Sequence, residues 1–235
     1  RAASRVWLIN SVRGWLEVVG SKLVDQQDPA PGPELVKQLR RRSCQLTLPR
    51  ASAAGVKRPL EELLSEVERS VAVVGRFYKC DKCAHRHMNS ASGFFITATG
   101  ALVTSRHVVS SDSLEGLVVM TRDGRLHAVR EVLAASEAND LAILQVDGDG
   151  DVDGHGFSPL PLRDAVAPGT PILVLSHPEN NFYSVSTGLA SRYLERSRDG
   201  AAYLAITADF AKGSSGAPVF TERGEVVGVV NSTRT

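Results

Sequence analysis

From residue 71 onward the chain breaks into short apolar or alternating runs, at residues 71–74, 93–97, 102–105, 117–121, 141–146, 172–175, 183–185, 203–207, 217–220 and 226–230. Glycine, asparagine and aspartate turns separate them. Runs this short are strands, and about ten of them at such spacing demand an antiparallel barrel or sandwich. The acidic, glycine-rich stretch 147–156 divides them into two comparable groups, which predicts two barrels in tandem. No repeat with a period of roughly 20–50 residues marks a solenoid or propeller.

The first 58 residues have another texture. Leu8, Val12, Trp15, Leu16, Val19 and Leu23 recur at helical spacing and predict an amphipathic helix packed on something. Arg13, Glu17 and Lys22 interrupt it, so no run reaches the roughly 20 apolar residues of a spanning helix. Pro29, Pro31 and Pro33 then break the chain before a helix predicted over 34–41 and a strand over 45–48. A further helix starts at Pro59, with Glu61 and Glu62 near its positive end, and runs to about 68. The expected division is a helical extension over 1–58 and a domain over 59–235, with barrels at about 71–146 and 157–235. Beginning at Arg1 rather than methionine, the chain reads as a processed product or an excised piece. Lysine and arginine number 27 against 26 aspartates and glutamates, a net charge of +1. That balance argues against nucleic acid or an anionic membrane as the main partner. Three cysteines are too few for a disulfide-built scaffold, and a chain this long does not need one.

Three segments set a reactive side chain at a strand end. Leu102-Val103-Thr104-Ser105-Arg106-His107 runs an apolar strand into a histidine, Asp140 opens the run Leu141-Ala142-Ile143-Leu144, and Gly213-Ser214-Ser215-Gly216 precedes another strand. A serine hydroxyl needs a base within reach, and the base needs a third group to fix its tautomer. Histidine and a buried aspartate suit those roles. The glycines allow the amides of Gly213 and Ser215, with Ser214 between them, to form an oxyanion hole. Each motif alone is weak; their order along the chain, His107, Asp140, Ser215, carries the signal.

With Ser92-Gly93-Phe94-Phe95-Ile96 and Gly224-Glu225-Val226-Val227-Gly228 added, residues 71–233 resemble the trypsin-like serine proteases, in their HtrA (Deg) branch. The resemblance implies a mainly β, chymotrypsin-like fold of two six-stranded-type antiparallel barrels with the helical extension in front. It implies peptide hydrolysis through an acyl-enzyme, with His107 as base, Asp140 as orienter and Ser215 as nucleophile, and no cofactor for catalysis. Protein or peptide substrates, a periplasmic or secreted location and a homo-oligomer are in keeping with it. Ser214 departs from the family's asparagine or aspartate, so an activating ion pair at that position is unavailable. The chain also runs only a short way past Ser215, which leaves a last barrel strand to be missing or supplied by the N-terminal segment.

Asp209, with Asn231 and Ser232, is the candidate specificity pocket. A buried Asp209 carboxylate would select arginine or lysine, whereas the HtrA-type pocket takes small aliphatic side chains. Cys80 and Cys83 form a Cys-x-x-Cys knuckle with His85 and His87 close behind, a candidate structural zinc site with Cys44 as a further ligand. A disulfide or uncombined thiols are the alternatives. His127, His155 and His177 are expected to be structural or solvated. The functional expectation is a serine endopeptidase of HtrA-like quality control or processing. The alternative is a catalytically silent protease-fold binding module that engages a partner through its extension and zinc knuckle.

Overall fold

In a computed structural model, which describes residues 9–26, 29–49, 58–80, 82–83, 85–148, 156–196 and 200–231, two groups of antiparallel strands follow one another. The first comprises β1 (Val71–Lys79), β2 (Arg86–Phe95), β3 (Ala101–Ser105), β4 (Leu114–Met120), β5 (Leu126–Ser136) and β6 (Leu141–Val146). It closes into a barrel in the order β1-β2-β3-β6-β5-β4. The second comprises β7 (Pro171–Ser176), β8 (Ser184–Arg196), β9 (Ala201–Ile206), β10 (Pro218–Thr221) and β11 (Val226–Val229), ordered β11-β10-β7-β8-β9. The winding is the same, with β7, β8 and β9 matching β1, β2 and β3, and β10 and β11 matching β4 and β5. Among the described residues nothing fills the place between β9 and β11 that β6 fills between β3 and β5. Among the described residues the second unit is therefore a five-stranded curled sheet.

The opening run of β1 shows why the strand pattern is not a simple alternation. Residues 71–74 are all buried because each face of the strand meets a different layer. Ala72 and Val74 point into the barrel with Phe95, Leu102, Leu117 and Leu144. Val73 faces outward beneath α1 (Ile9–Asp25), and Val71 faces the second sheet across a core that includes Phe94, Ile96, Leu173 and Phe220.

The N-terminal elements lie on this frame. In α1, Leu16 is fully buried against a group containing Phe77, Met88 and Val118. A Cβ on Gly20 would sit 2.5 Å from Phe77 Cζ, so the glycine lets the helix approach the strand. Trp15, assigned to the packed face from its spacing, is instead 41% exposed, and Leu8 lies outside the described residues. The next helix, α2 (Gly32–Gln38), begins two residues earlier than expected because Pro33 is accommodated in its first turn. Its Leu35 and the following Leu39 enter the barrel core. Residues 45–48 do not form a strand; Leu46 packs beside the core between the sheets, with no partner ladder to pair with. The third helix, α3 (Leu60–Ser70), buries Leu63 and Val67 in that same core and passes directly into β1.

Candidate active site

The pairing of β3 with β6 sets Ser105 opposite Leu141, which brings together the residues just beyond each. His107 lies in the short helix α4 (Arg106–Val109) and Asp140 in the turn before β6. Asp140 has φ 49°, a left-handed conformation that aspartate tolerates better than most residues. The turn is held on both sides: the Arg106 amide donates to the Asp140 carbonyl at 2.9 Å, and the His107 amide donates to Asp140 Oδ1 at 2.9 Å. Asp140 Oδ2 lies 2.6 Å from His107 Nδ1, and His107 Nε2 lies 3.1 Å from Ser215 Oγ. With the ring proton on Nδ1 and bonded to the carboxylate, the Nε2 lone pair faces the serine hydroxyl. Such an arrangement can take the hydroxyl proton as the oxygen attacks an electrophile.

Ser215 belongs to the second sheet, and its loop is stitched to the first barrel. The Ser92 amide donates to the Ser215 carbonyl at 2.9 Å, while the Ser92 hydroxyl donates to the Gly213 carbonyl at 2.9 Å and accepts from the His177 amide at 3.2 Å. Thr104 donates its hydroxyl to the Ser92 carbonyl at 2.8 Å. Gly213 and Gly216 have φ of 99° and 87°, and a Cβ on Gly216 would lie 2.2 Å from the Ser92 carbonyl oxygen. Among the described residues no hydrogen bond uses the amide of Gly213 or Ser215. The Ser214 amide, grouped with them from sequence, is instead bonded to the Ala211 carbonyl at 2.9 Å. The buried Ser214 hydroxyl lies 3.0 Å from that of Ser176, in place of an ion pair.

A family model for the trypsin-like peptidase domain matches residues 91–229, a segment that contains all three of these side chains. The chain belongs to the trypsin-like peptidases. A protein named probable periplasmic serine endoprotease DegP-like from Rhizobium meliloti is 35% identical to this peptidase over 146 residues, 59% of the chain and 27% of that protein. A putative serine protease HhoA from Synechocystis is 28% identical over 167 residues, covering 68% of the chain and 41% of that protein. A DegP-like endoprotease from Ectopseudomonas mendocina is 31% identical over 140 residues, 59% of the chain and 28% of that protein. These names agree with the HtrA branch, and the chain spans well under half the length of each relative.

The sequence assignment of the specificity pocket needs correction. Asp209 is exposed, and its backbone carbonyl accepts from the Ser186 hydroxyl at 2.6 Å. In this peptidase it is therefore no buried carboxylate at the base of a pocket. The neighbouring Phe210 turns inward and, with Ile206, Val229, Val230 and Asn231, lines a cleft of about 330 Å³ whose walls are mainly apolar. Asn231 lies at this cleft, and Ser232 lies outside the described residues.

Of the five candidate metal ligands, three converge: Cys80, Cys83 and His87 have ligand atoms within 4.8 Å of one another. The His85 side chain is exposed, and only its carbonyl approaches Cys83 Sγ, at 3.8 Å. Cys44 lies elsewhere, in a groove of about 580 Å³ with Leu46, Phe94 and Ile96, so it is not part of the knuckle. Among the remaining histidines, His127 and His177 are buried and His155 lies outside the described residues. Burial pushes the His177 pKa down to about 3, so its ring is neutral, with Nδ1 accepting from the Tyr183 amide at 3.0 Å. Ser92, Thr104, Ser176 and His177 were not singled out as parts of this site from sequence. Ser92 meets Gly213, 121 residues away, and no local spacing announces such a contact.

Proposed function

We propose that this peptidase hydrolyses peptide bonds with Ser215 as nucleophile, His107 as general base and then general acid, and Asp140 as the group that holds the ring's tautomer. The observation that carries the reading is the continuous path of 2.6 and 3.1 Å from Asp140 through His107 to Ser215, built across the junction of two sheets. As Ser215 Oγ bonds to the scissile carbonyl carbon, its proton passes to His107 Nε2, and the carbonyl oxygen becomes an oxyanion beside the amides of Gly213 and Ser215. The C–N bond breaks as Nε2 returns the proton to the leaving amine, and water then releases the acyl group by the same route in reverse. Each step uses groups of the chain itself, so catalysis needs no cofactor; the Cys80, Cys83 and His87 cluster is assigned a separate structural zinc.

The substrates are exposed or unfolded protein segments, and likeness to the HtrA branch together with the exposed Asp209 supports a small or medium apolar side chain before the cleaved bond. The periplasmic names of the relatives support action outside the cytoplasm in HtrA-like quality control or processing. The division at residues 58 and 59 is retained as a functional one, with α1 and α2 as an appendage to the first barrel. Nothing favours the silent-module alternative, because no member of the triad is replaced. Digestion of unfolded casein tests the reading. Cleavage by the wild type, at bonds following valine, alanine or leucine, and a fall of at least about 10³-fold in Ser215→Ala are expected. Undiminished cleavage by Ser215→Ala would remove the nucleophile assignment, and cleavage mainly after arginine or lysine would overturn the pocket assignment.

A further inference from the structure

Where the β1–β2 hairpin turns, three soft donors face a common point. Cys80 directly follows β1, Cys83 lies in the connection, and His87 is the second residue of β2. Cys80 Sγ is 3.5 Å from Cys83 Sγ and 3.2 Å from His87 Nε2, and Cys83 Sγ is 3.0 Å from His87 Nε2. We propose that these three side chains hold a zinc ion.

The distances exclude a disulfide in this conformation, since an S–S bond is about 2.05 Å long. Atoms at these separations leave a point just off their plane that is about 2.2 Å from each, within the range of Zn–S and Zn–N bonds. Two thiolates and an imidazole select zinc over magnesium or calcium, which take oxygen ligands. The hairpin register sets Tyr78 opposite His87 and Lys79 opposite Arg86, so strand pairing itself carries Cys80 to the imidazole. The His87 ring lies 5.5 Å from the Tyr78 ring, which limits its rotation. Next to it, Arg86 is tied to Glu115 at 2.6 Å, to Asp25 at 2.7 Å and to the Ser21 carbonyl at 2.9 Å, anchoring this end of β2 to α1. The ligand set is thus carried at the turn of a paired hairpin, with Cys83 its exposed member.

The ion stands in for the hydrophobic core that the hairpin end lacks, and its binding free energy adds to the stability of the β1–β2 pair. The inference does not rest on the peptidase reading, because the ligands share no residue with the triad.

The test is the metal content of the whole chain, expressed with added zinc and purified under reducing conditions without chelator. About one zinc per chain is expected, and cobalt added to the metal-free protein should give a sulfur-to-cobalt charge-transfer band. Cys80→Ser and His87→Gln should each lower zinc at least tenfold, while Cys44→Ser and His85→Gln keep it. Should a ligand variant fail to fold, the cobalt band of the metal-free wild type decides alone. A wild type with no zinc and no cobalt band overturns the proposal, as does equal zinc loss in Cys44→Ser. Labelling of Ser215 by a fluorophosphonate, measured in parallel, reports separately on the peptidase reading.

Discussion

His107 can act as a base only in the tautomer that leaves Nε2 bare, and that choice belongs to Asp140, 2.6 Å from Nδ1. Replacing Asp140 by asparagine keeps the shape but lets an amide donate to Nδ1, turning the proton toward Ser215. The expected fall in kcat is about 10⁴-fold, measured on a chromogenic peptide, with KM changed much less. A second prediction concerns His177. Its ring is neutral down to about pH 3 in the folded chain, whereas an unfolded histidine takes a proton near 6.5. The unfolded state binds more protons between these values, so folding stability is lost as pH falls through 6.5 toward 3. Between pH 7 and pH 4.5 the loss from this group is roughly 2–3 kcal/mol. His177→Asn, whose amide oxygen can accept from Tyr183, should show a shallower fall in urea midpoint over that interval. Identical slopes in both proteins would remove His177 from the acid response. The triad was legible in the sequence because each member sits in its own local motif. Asp209 misled because position relative to Ser215 says nothing about burial, and it is Phe210 that turns inward.

At the scale of elements, the strands were legible and the N-terminal pieces only partly so. The strand runs are buried on more than one face and so stand out as apolar, as in residues 71–74. Residues 45–48 alternate equally well, yet this segment pairs with no strand and lies in the groove between the sheets instead. The placement of α1 was hidden for a similar reason, since Gly20 and Arg86 decide it and neither stands out in a hydrophobic pattern. Arg86 bonds to Ser21, Asp25 and Glu115 at once. Arg86→Met keeps the aliphatic stem and removes these bonds, so amide exchange in α1 should speed up at least tenfold while exchange in β7 stays unchanged. Unaltered α1 exchange would mean that the Leu16 contact alone holds the helix. Gly216→Ala is the harsher change, because its Cβ meets the Ser92 carbonyl at 2.2 Å in a left-handed turn. It should cost more than 1 kcal/mol, on the order set by such glycines, and abolish cleavage by moving the nucleophile loop.

In the whole molecule, neither sheet holds a complete site. The first barrel supplies His107 and Asp140, the second sheet supplies Ser215, and Ser92 binds the two together. Order along the chain made the two-unit architecture legible, and the closed first barrel matched it. The order β11-β10-β7-β8-β9 was not legible, because strand order is a property of the fold and not of any run of residues. The claim on which the rest depends is that the assembled triad makes Ser215 unusually nucleophilic. Intact mass after treatment with a fluorophosphonate tests it most directly. One phosphonyl adduct per chain, mapped to Ser215 and absent from both Ser215→Ala and heat-unfolded protein, is the expected result. A folded wild type that gains no adduct, or gains it equally in Ser215→Ala, would contradict the account.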